Sequence, residues 1–184
     1  AQDNLENPKW RYFDCRYDLR VPEKKKAEYF VSHIPGALYV HMNKDLADTH
    51  VAGKTGRHPL PAVNDLAIKF SAMGIDNSMQ VAVYDDAGGS HASRLWWMLR
   101  WLGHDAVAVI DGGWSCWIKE ERPVSSELLI AEGKEFIVEG KEFIAAPRLG
   151  WTVTAEEILK DLNNPQTCLL DARSSQRFRG ENEK

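Results

Sequence analysis

The first places to look for chemistry in this chain are its three cysteines and six histidines. Cys15, Cys116 and Cys168 are odd in number and widely spaced, which makes neither a disulfide framework nor a zinc pattern. They read as buried thiols of a reducing compartment. Cys116 to Arg122 does fit the Cys-x5-Arg spacing of a cysteine phosphatase. That run has no glycine to let the backbone cradle a phosphate, Glu120 and Glu121 would repel one, and the segment is helix-prone, so phosphatase chemistry is rejected. His33, His41, His50, His58, His91 and His104 are scattered without ligand spacing, so no metal and no cofactor is expected. His91 has no visible acid–base partner and reads as a solvent-exposed histidine at a helix start. Trp96, Trp97 and Trp101 suggest a stacking surface for bases or sugars, but aromatics on and beside an apolar helix face more often pack a core or an interface.

The elements that must position these residues follow from periodicity. Arg11 to Cys15, Ala37 to Val40, Val81 to Tyr84 and Ala106 to Ile110 are short apolar runs that read as strands, the later ones uninterrupted as in a sheet buried on both faces. Lys24 to Tyr29 is helix-prone, and Pro35-Gly36 turns the chain after it. Val63, Leu66, Ala67 and Phe70 carry a helix over 62–73 that Gly74 stops. Ala92, Leu95, Trp96, Leu99 and Leu102 form another helical face, ended by Gly103. Residues 51–61, with two glycines and two prolines, are loop. Strands alternating with helices predict an α/β domain with a central parallel sheet and helices on both faces.

This first domain spans 1–122. Residues 123–151 read as a linker, which holds a direct repeat, Glu132-Gly133-Lys134-Glu135-Phe136-Ile137 and Glu139-Gly140-Lys141-Glu142-Phe143-Ile144. Two copies are too few for a solenoid, so this is a local duplication, with a short hairpin as the alternative. A second unit, 152–184, opens with Thr152-Val153-Thr154 and Glu156-Glu157, a helix N-terminus whose apolar face is Ile158, Leu159 and Leu162. Cys168 to Arg173 then repeats the opening pattern of an apolar strand, Asp, any residue, Arg. About 33 residues cannot bury a core of their own. The net charge of −4 gives no sign of a nucleic-acid surface, and no apolar run approaches the roughly 18 residues of a membrane helix. The start, Ala1-Gln2-Asp3-Asn4, lacks the basic and apolar regions of a secretory signal. The expected partners therefore include neither nucleic acid nor membrane, and the expected compartment is the cytoplasm, or the mitochondrial matrix in a eukaryote.

Five motifs carry a family resemblance: Asp14-Cys15-Arg16; Ser32-His33-Ile34-Pro35-Gly36-Ala37; the strand, loop and helix of Val81 to His104; Asp111-Gly112-Gly113-Trp114; and Leu170-Asp171-Ala172-Arg173 through Arg177-Phe178. Together and in this order, over nearly the whole chain, they resemble the tandem-domain rhodaneses, which are thiosulfate and 3-mercaptopyruvate sulfurtransferases. The resemblance implies a site at the C-terminal end of a central strand. There a loop of inward N–H groups and a helix N-terminus stabilise a cysteine thiolate and its persulfide. The loop pattern is Cys, two residues, Gly, one residue, then a small hydroxylated or basic residue.

In Asp85-Asp86-Ala87-Gly88-Gly89-Ser90 the glycine is in register at Gly88, and Asp85 stands where the cysteine belongs. A carboxylate cannot store a sulfane sulfur, so the resemblance implies a non-catalytic first domain. The nucleophile is expected beyond Lys184, in a missing C-terminal catalytic domain that residues 152–184 begin. A plainer reading of Asp85 is a cap on the following helix. Arg177 is the implied clamp on the substrate anion, its planar fork suiting an oxyanion; the alternative is a solvated arginine beside Arg173 and Arg179. Arg173 is expected to pair with Asp171, as Arg16 with Asp14. Tyr17, Ser90 and His91 would line the cleft from the first domain, and His33 and His58, in family motifs, would fix turns. The implied partners are a small-molecule sulfur donor and a thiophilic acceptor. The donor stays open between thiosulfate and 3-mercaptopyruvate, with Gly180 to Glu183 leaning to thiosulfate-type sequences. The other reading of the chain is a rhodanese-like binding or regulatory module without turnover.

Overall fold

The computed structural model describes residues 1–128 and 141–181. The first copy of the duplicated hexapeptide, and the hairpin alternative with it, lie outside the described residues. The chain divides into two units, Ala1–Arg148 and Leu149–Lys184.

In the first unit β1 (Trp10–Asp14), β2 (Ala37–Tyr39), β3 (Gln80–Tyr84) and β4 (Val107–Val109) form one parallel sheet in the order β2-β1-β3-β4. Parallel neighbours need long crossovers, and these carry α1 (Lys24–Val31), α2 (Val63–Ala72) and α3 (Ala92–Trp101), with α4 (Gly113–Lys119) after the last strand. Side-chain alternation sorts the core into two faces. Phe13, Leu38, Val81 and Val83 pack against Leu66 and Phe70 of α2 and Leu95, Met98 and Leu99 of α3. Tyr12, Ala37, Ala82 and Tyr84 face the other way, onto Ile34 and onto Trp117 of α4. Tyr29 of α1 joins that side, donating its hydroxyl to the Ala37 carbonyl at 2.8 Å and stacking on His33. The helices therefore lie on both faces, as the alternation of elements requires. Asp14 and Tyr84 pair at the C-terminal ends of β1 and β3, so the segments that open at Cys15 and Asp85 start side by side.

Several expectations need correction. β1 ends at Asp14, one residue before the apolar pattern does, because the Asp14 carboxylate turns back to accept the Arg16 N–H. Only Cys15 is a buried thiol; Cys116 is half-exposed on α4 and Cys168 is exposed. Residues 141–148, read as linker, belong to the first unit, since Phe143 enters the α2–α3 core. A single apolar anchor on an extended segment leaves no periodic signal.

The second unit, taken by itself, holds α5 (Ala155–Asp161) and α6 (Ser175–Phe178). Thr154 caps α5 in a complete capping box, its hydroxyl accepting from the Glu157 N–H and the Glu157 carboxylate taking the Thr154 N–H. Cys168 to Arg173 is not a strand. Leu169 and Leu170 are 63% and 83% exposed. A strand exists only where a neighbour takes its backbone groups, and among the described residues nothing pairs with this run.

Candidate functional site

The first unit's site is the loop from Asp85 to Ala92. Asp85, 1% exposed, turns its carboxylate into the loop that follows it. One oxygen accepts from the N–H groups of Ala87 and Gly89, both at 2.8 Å; the other accepts from His91 at 2.7 Å and Ala92 at 2.8 Å. Gly88 and Gly89 take left-handed backbone conformations, φ +66° and +86°, which curl successive N–H groups inward. Ala92 opens α3, so the same carboxylate fills the loop and caps the helix; the two readings of Asp85 describe one arrangement. Burial pushes the Asp85 carboxyl up, but the four N–H donors outweigh it and hold the group below the usual carboxylate range. The loop is a ring of donors made for one anion, and that anion is built into the chain.

The loop is held from three sides. Gly113 brings the start of α4 so close that a Cβ there would overlap the Asp85 carbonyl oxygen, and the Trp114 N–H donates to that oxygen at 2.8 Å. This is the physical content of Asp111-Gly112-Gly113-Trp114. Lys25 of α1 pairs with Asp86 at 2.6 Å and Glu28 at 2.8 Å. Beneath, Asp14 takes the Arg16 guanidinium and the Tyr84 hydroxyl, and Arg16 also donates to the Ser32 carbonyl and lies over the Trp114 ring. Burial pushes the Asp14 carboxyl up against the pull of Arg16.

Beside the loop exit Tyr17, buried, has three imidazoles in T-shaped contact with its ring: His41, His58 and His91, with centroids at 5.6, 6.0 and 5.7 Å. Asn43 orders two of them. Its side-chain oxygen accepts from the Tyr17 hydroxyl and from His58 Nε2, both at 2.8 Å, which puts the His58 proton on Nε2. The Asn43 N–H donates to His41 Nδ1 at 3.1 Å, leaving the His41 proton on Nε2, 3.3 Å from Glu23. Burial pulls the pKa of His41 and of His58 down, and Arg94 and Arg57 lower His58 further. Arg94 ties this wall to α3 by donating to the carbonyls of Leu46, His58 and Pro59.

Of the expected site residues the structure thus brings together Asp85, Asp86, Gly88, Gly89, Ser90, His91 and Tyr17. Ser90 is exposed at the loop tip. His91 is not the solvated helix-start histidine its sequence suggests: it is half-buried, its N–H is bound to Asp85, and its ring nitrogen Nδ1 is buried without a hydrogen-bond partner among the described residues. The histidines are not scattered in space either, since three of them share Tyr17. The His33 ring nitrogens lie 2.8 Å from the Tyr29 carbonyl and 3.1 Å from the Glu127 carbonyl, and a neutral imidazole donates to one of the two. Trp97 and Trp101 stack on each other, with Trp101 buried in the core cluster. Arg177 lies on α6 of the second unit, in the field of Asp171. Sequence reasoning misses Asn43, His41 and Lys25. Positions 17, 25, 41, 43, 58 and 86 meet only through the fold, and no spacing signals them.

A parallel sheet with helices on both faces, closed at its strand ends by a glycine-built ring of N–H donors, is the architecture of the rhodanese fold. The model of the Rhodanese-like domain family matches residues 1–120, and the chain belongs to that family. It is 37% identical over 178 residues to a probable 3-mercaptopyruvate sulfurtransferase of Pseudomonas aeruginosa, covering 96% of this chain and 60% of that protein. It is 30% identical over 175 residues to the thiosulfate sulfurtransferase of Bos taurus, covering 94% and 55%. Among solved structures, the 3-mercaptopyruvate sulfurtransferase from Leishmania major superposes with a TM-score of 0.77 at 27% identity, over 96% of this chain and 46% of that one. The chain thus spans 60% or less of the length of these relatives.

Proposed function

We propose that this chain is the non-catalytic first domain, with the opening of the catalytic one, of a two-domain sulfurtransferase that moves sulfane sulfur from thiosulfate or 3-mercaptopyruvate to a thiophilic acceptor. The observation that carries the reading is Asp85, whose carboxylate takes four N–H donors of a loop shaped for an anionic sulfur. The names of the relatives, thiosulfate and 3-mercaptopyruvate sulfurtransferases, supply the reaction class. In that chemistry a cysteine thiolate attacks the outer sulfur of thiosulfate, the S–S bond breaks, and sulfite leaves with the electron pair. The resulting persulfide then gives its sulfur to the acceptor, and the thiolate returns. The Asp85 loop can take no part in this, because an oxygen nucleophile already fills its donors and carries no sulfur.

Arg177 is the residue of this chain proposed to hold the donor's anionic end, and Tyr17, Ser90 and His91 are proposed to face the substrate from the first domain, where imidazoles gather around Tyr17. No helix among the described residues is long and apolar enough to cross a membrane. The proposed setting is the cytoplasm or, in a eukaryote, the mitochondrial matrix.

Thiocyanate formation from thiosulfate and cyanide tests the reading. The 184-residue chain, its mass verified near 20.9 kDa, is expected to show none. The same chain extended by a domain with a Cys-x-x-Gly-x-Thr loop should turn over and lose about tenfold or more in kcat/KM on Arg177→Ala. Turnover by the verified 184-residue chain would overturn the reading; an inactive extended protein would favour a binding module.

A further inference from the structure

His104 follows the glycine that ends α3, its N–H donating to the Leu99 carbonyl at 2.9 Å, and it is 2% exposed. Its Nε2 is buried and makes no hydrogen bond among the described residues. The segment 141–148 lies over this corner. Phe143 meets the imidazole at a centroid distance of 6.0 Å. Ala146 passes so close to Gly103 that a Cβ on the glycine would lie 2.9 Å from the Ala146 oxygen.

The segment is neither helix nor strand. Between its ends it is held through its main chain. The Phe143 N–H donates to the Ser71 hydroxyl at 2.9 Å, the Asn77 side chain binds the Ile144 backbone at 2.8 and 3.0 Å, and the N–H groups of Ala146 and Arg148 reach the carbonyls of Leu102 and Trp101. At each end a carboxylate takes a cation. Asp76 holds Lys141 at 2.7 Å, and Asp105 holds Arg148 with Arg100 at 3.4 Å beside it.

Asp76 and Asp105 are also the carboxylates that favour a charged His104. The backbone at Ala106 and Met79 pulls the same way, yet burial outweighs all of them and holds the imidazole below its ordinary 6.5. Whichever ring nitrogen carries the proton at neutral pH, the cation bears an N–H on both, and the one on Nε2 finds no acceptor while Phe143 is seated. Met79 leads into β3 and Ala106 into β4, so the sheet fixes those neighbours. The segment 141–148 can lift without breaking a helix or a strand.

We propose that residues 141–148 form a proton-released strap, whose docking and the protonation of His104 exclude each other. Docked, the strap gives Lys141 to Asp76 and Arg148 to Asp105 and keeps water from Nε2. Lifted, it leaves both carboxylates to the imidazolium and opens the ring to water. Because Arg148 closes the first unit, release adds up to about 27 Å of extended chain before Leu149. Mild acid therefore loosens the connection between the two units while the sheet stays intact.

Amide hydrogen exchange in the full chain tests this. Protection of the Phe143, Ile144 and Ala146 N–H groups, corrected for intrinsic exchange, is expected to fall about fivefold from pH 7.5 to pH 5.5, and that of Val81 and Val83 in β3 by much less. An equal fall in β3 means general loosening and overturns the proposal. His104→Gln, which cannot take the proton, should flatten the fall at the strap while His41 and His58 still titrate; an unchanged fall sinks the idea. Should that variant fold poorly, Lys141→Ala with Arg148→Ala reads the same linkage from the other side. Freeing both carboxylates should raise the His104 midpoint in an NMR titration, and an unmoved midpoint counts against the strap.

Discussion

The chain writes the same Asp-x-Arg signature twice, once at Asp14 and Arg16 and once at Asp171 and Arg173, and the two copies differ in almost everything around it. Locally they superpose in their bonds. The arginine N–H reaches the aspartate at 3.0 Å in the first and 2.9 Å in the second, Nε reaches both carboxylate oxygens at 2.8–3.0 Å in each, and Nη2 closes the fork at 2.6 and 2.7 Å. The first pair is 2% and 0% exposed, ends a paired strand, and is wrapped by Tyr84, Trp114 and the Ser32 carbonyl. The second pair is 40% and 28% exposed and follows a leucine pair with no strand. Three residues are enough to write the turn. The strand and its burial come from neighbours, and only the first copy has them among the described residues.

That difference sets the largest expected effect. Arg16→Ala leaves the Asp14 carboxylate buried without its counter-charge and should cost about 3–5 kcal/mol in urea unfolding of the first unit. A loss below about 1 kcal/mol would show that burial adds nothing to the pair, and the contrast between the copies would fail. Replacing both partners sharpens the point: Asp14→Leu with Arg16→Met should lose less than Arg16→Ala, because no charge is then stranded.

The Asp85 loop gives the next effect, since its carboxylate is equally buried but is satisfied by backbone N–H groups alone. Asp85→Asn should cost about 2 kcal/mol at neutral pH by trading charged acceptors for a neutral amide. The folded carboxyl lies below its ordinary 3.8, so the unfolded chain binds the proton first as pH falls. The contribution is therefore complete above about pH 4 and is lost as pH drops through the folded value. Unfolding wild type and Asp85→Asn in parallel from pH 7 to pH 3 should show the gap closing only at the acid end. The depressed histidines His41, His58 and His104 also lose stability for the fold below their ordinary 6.5, but they are common to both proteins and cancel in the difference. A gap that stays constant to pH 3 would show that the N–H ring does not select charge.

The legibility of the fold and the site in sequence follows the same division. The sheet, its helices and the capping box at Thr154 rest on periodicity and on signals within a few residues, and these are visible in sequence. So is Asp85 once the resemblance is taken in, because the family's loop pattern after an apolar strand sets Gly88 three residues on from it. The Tyr17 wall is half-visible: resemblance places Tyr17 and His91, but the convergence of His41, Asn43 and His58 on Tyr17 depends on how the long connection between β2 and α2 folds back on the segment after β1. Phe143 reads as linker because one anchor makes no pattern. Leu169 and Leu170 mislead for the opposite reason, since they make a good strand pattern and have no strand beside them among the described residues. These errors fall where a distant element decides; the early end of β1 at Asp14 is the local exception.

The smallest effect is the one that completes the comparison. Arg173→Ala breaks bonds of the same lengths as Arg16→Ala does, yet it should leave the urea unfolding midpoint essentially unmoved. Asp171 remains in contact with water when its partner goes, and an exposed pair repays in Coulomb energy little more than it loses in side-chain freedom and screening. The Asp171 carboxyl is held below its ordinary range mainly by the Arg173 side chain and N–H, so the substitution should return it upward, a change that carboxyl NMR titration can follow site by site. The two readouts separate geometry from environment: a restored titration with unchanged unfolding is expected for this copy. A loss approaching that of Arg16→Ala would instead mean that the second turn, like the first, is embedded, and that Leu169 and Leu170 are covered in solution.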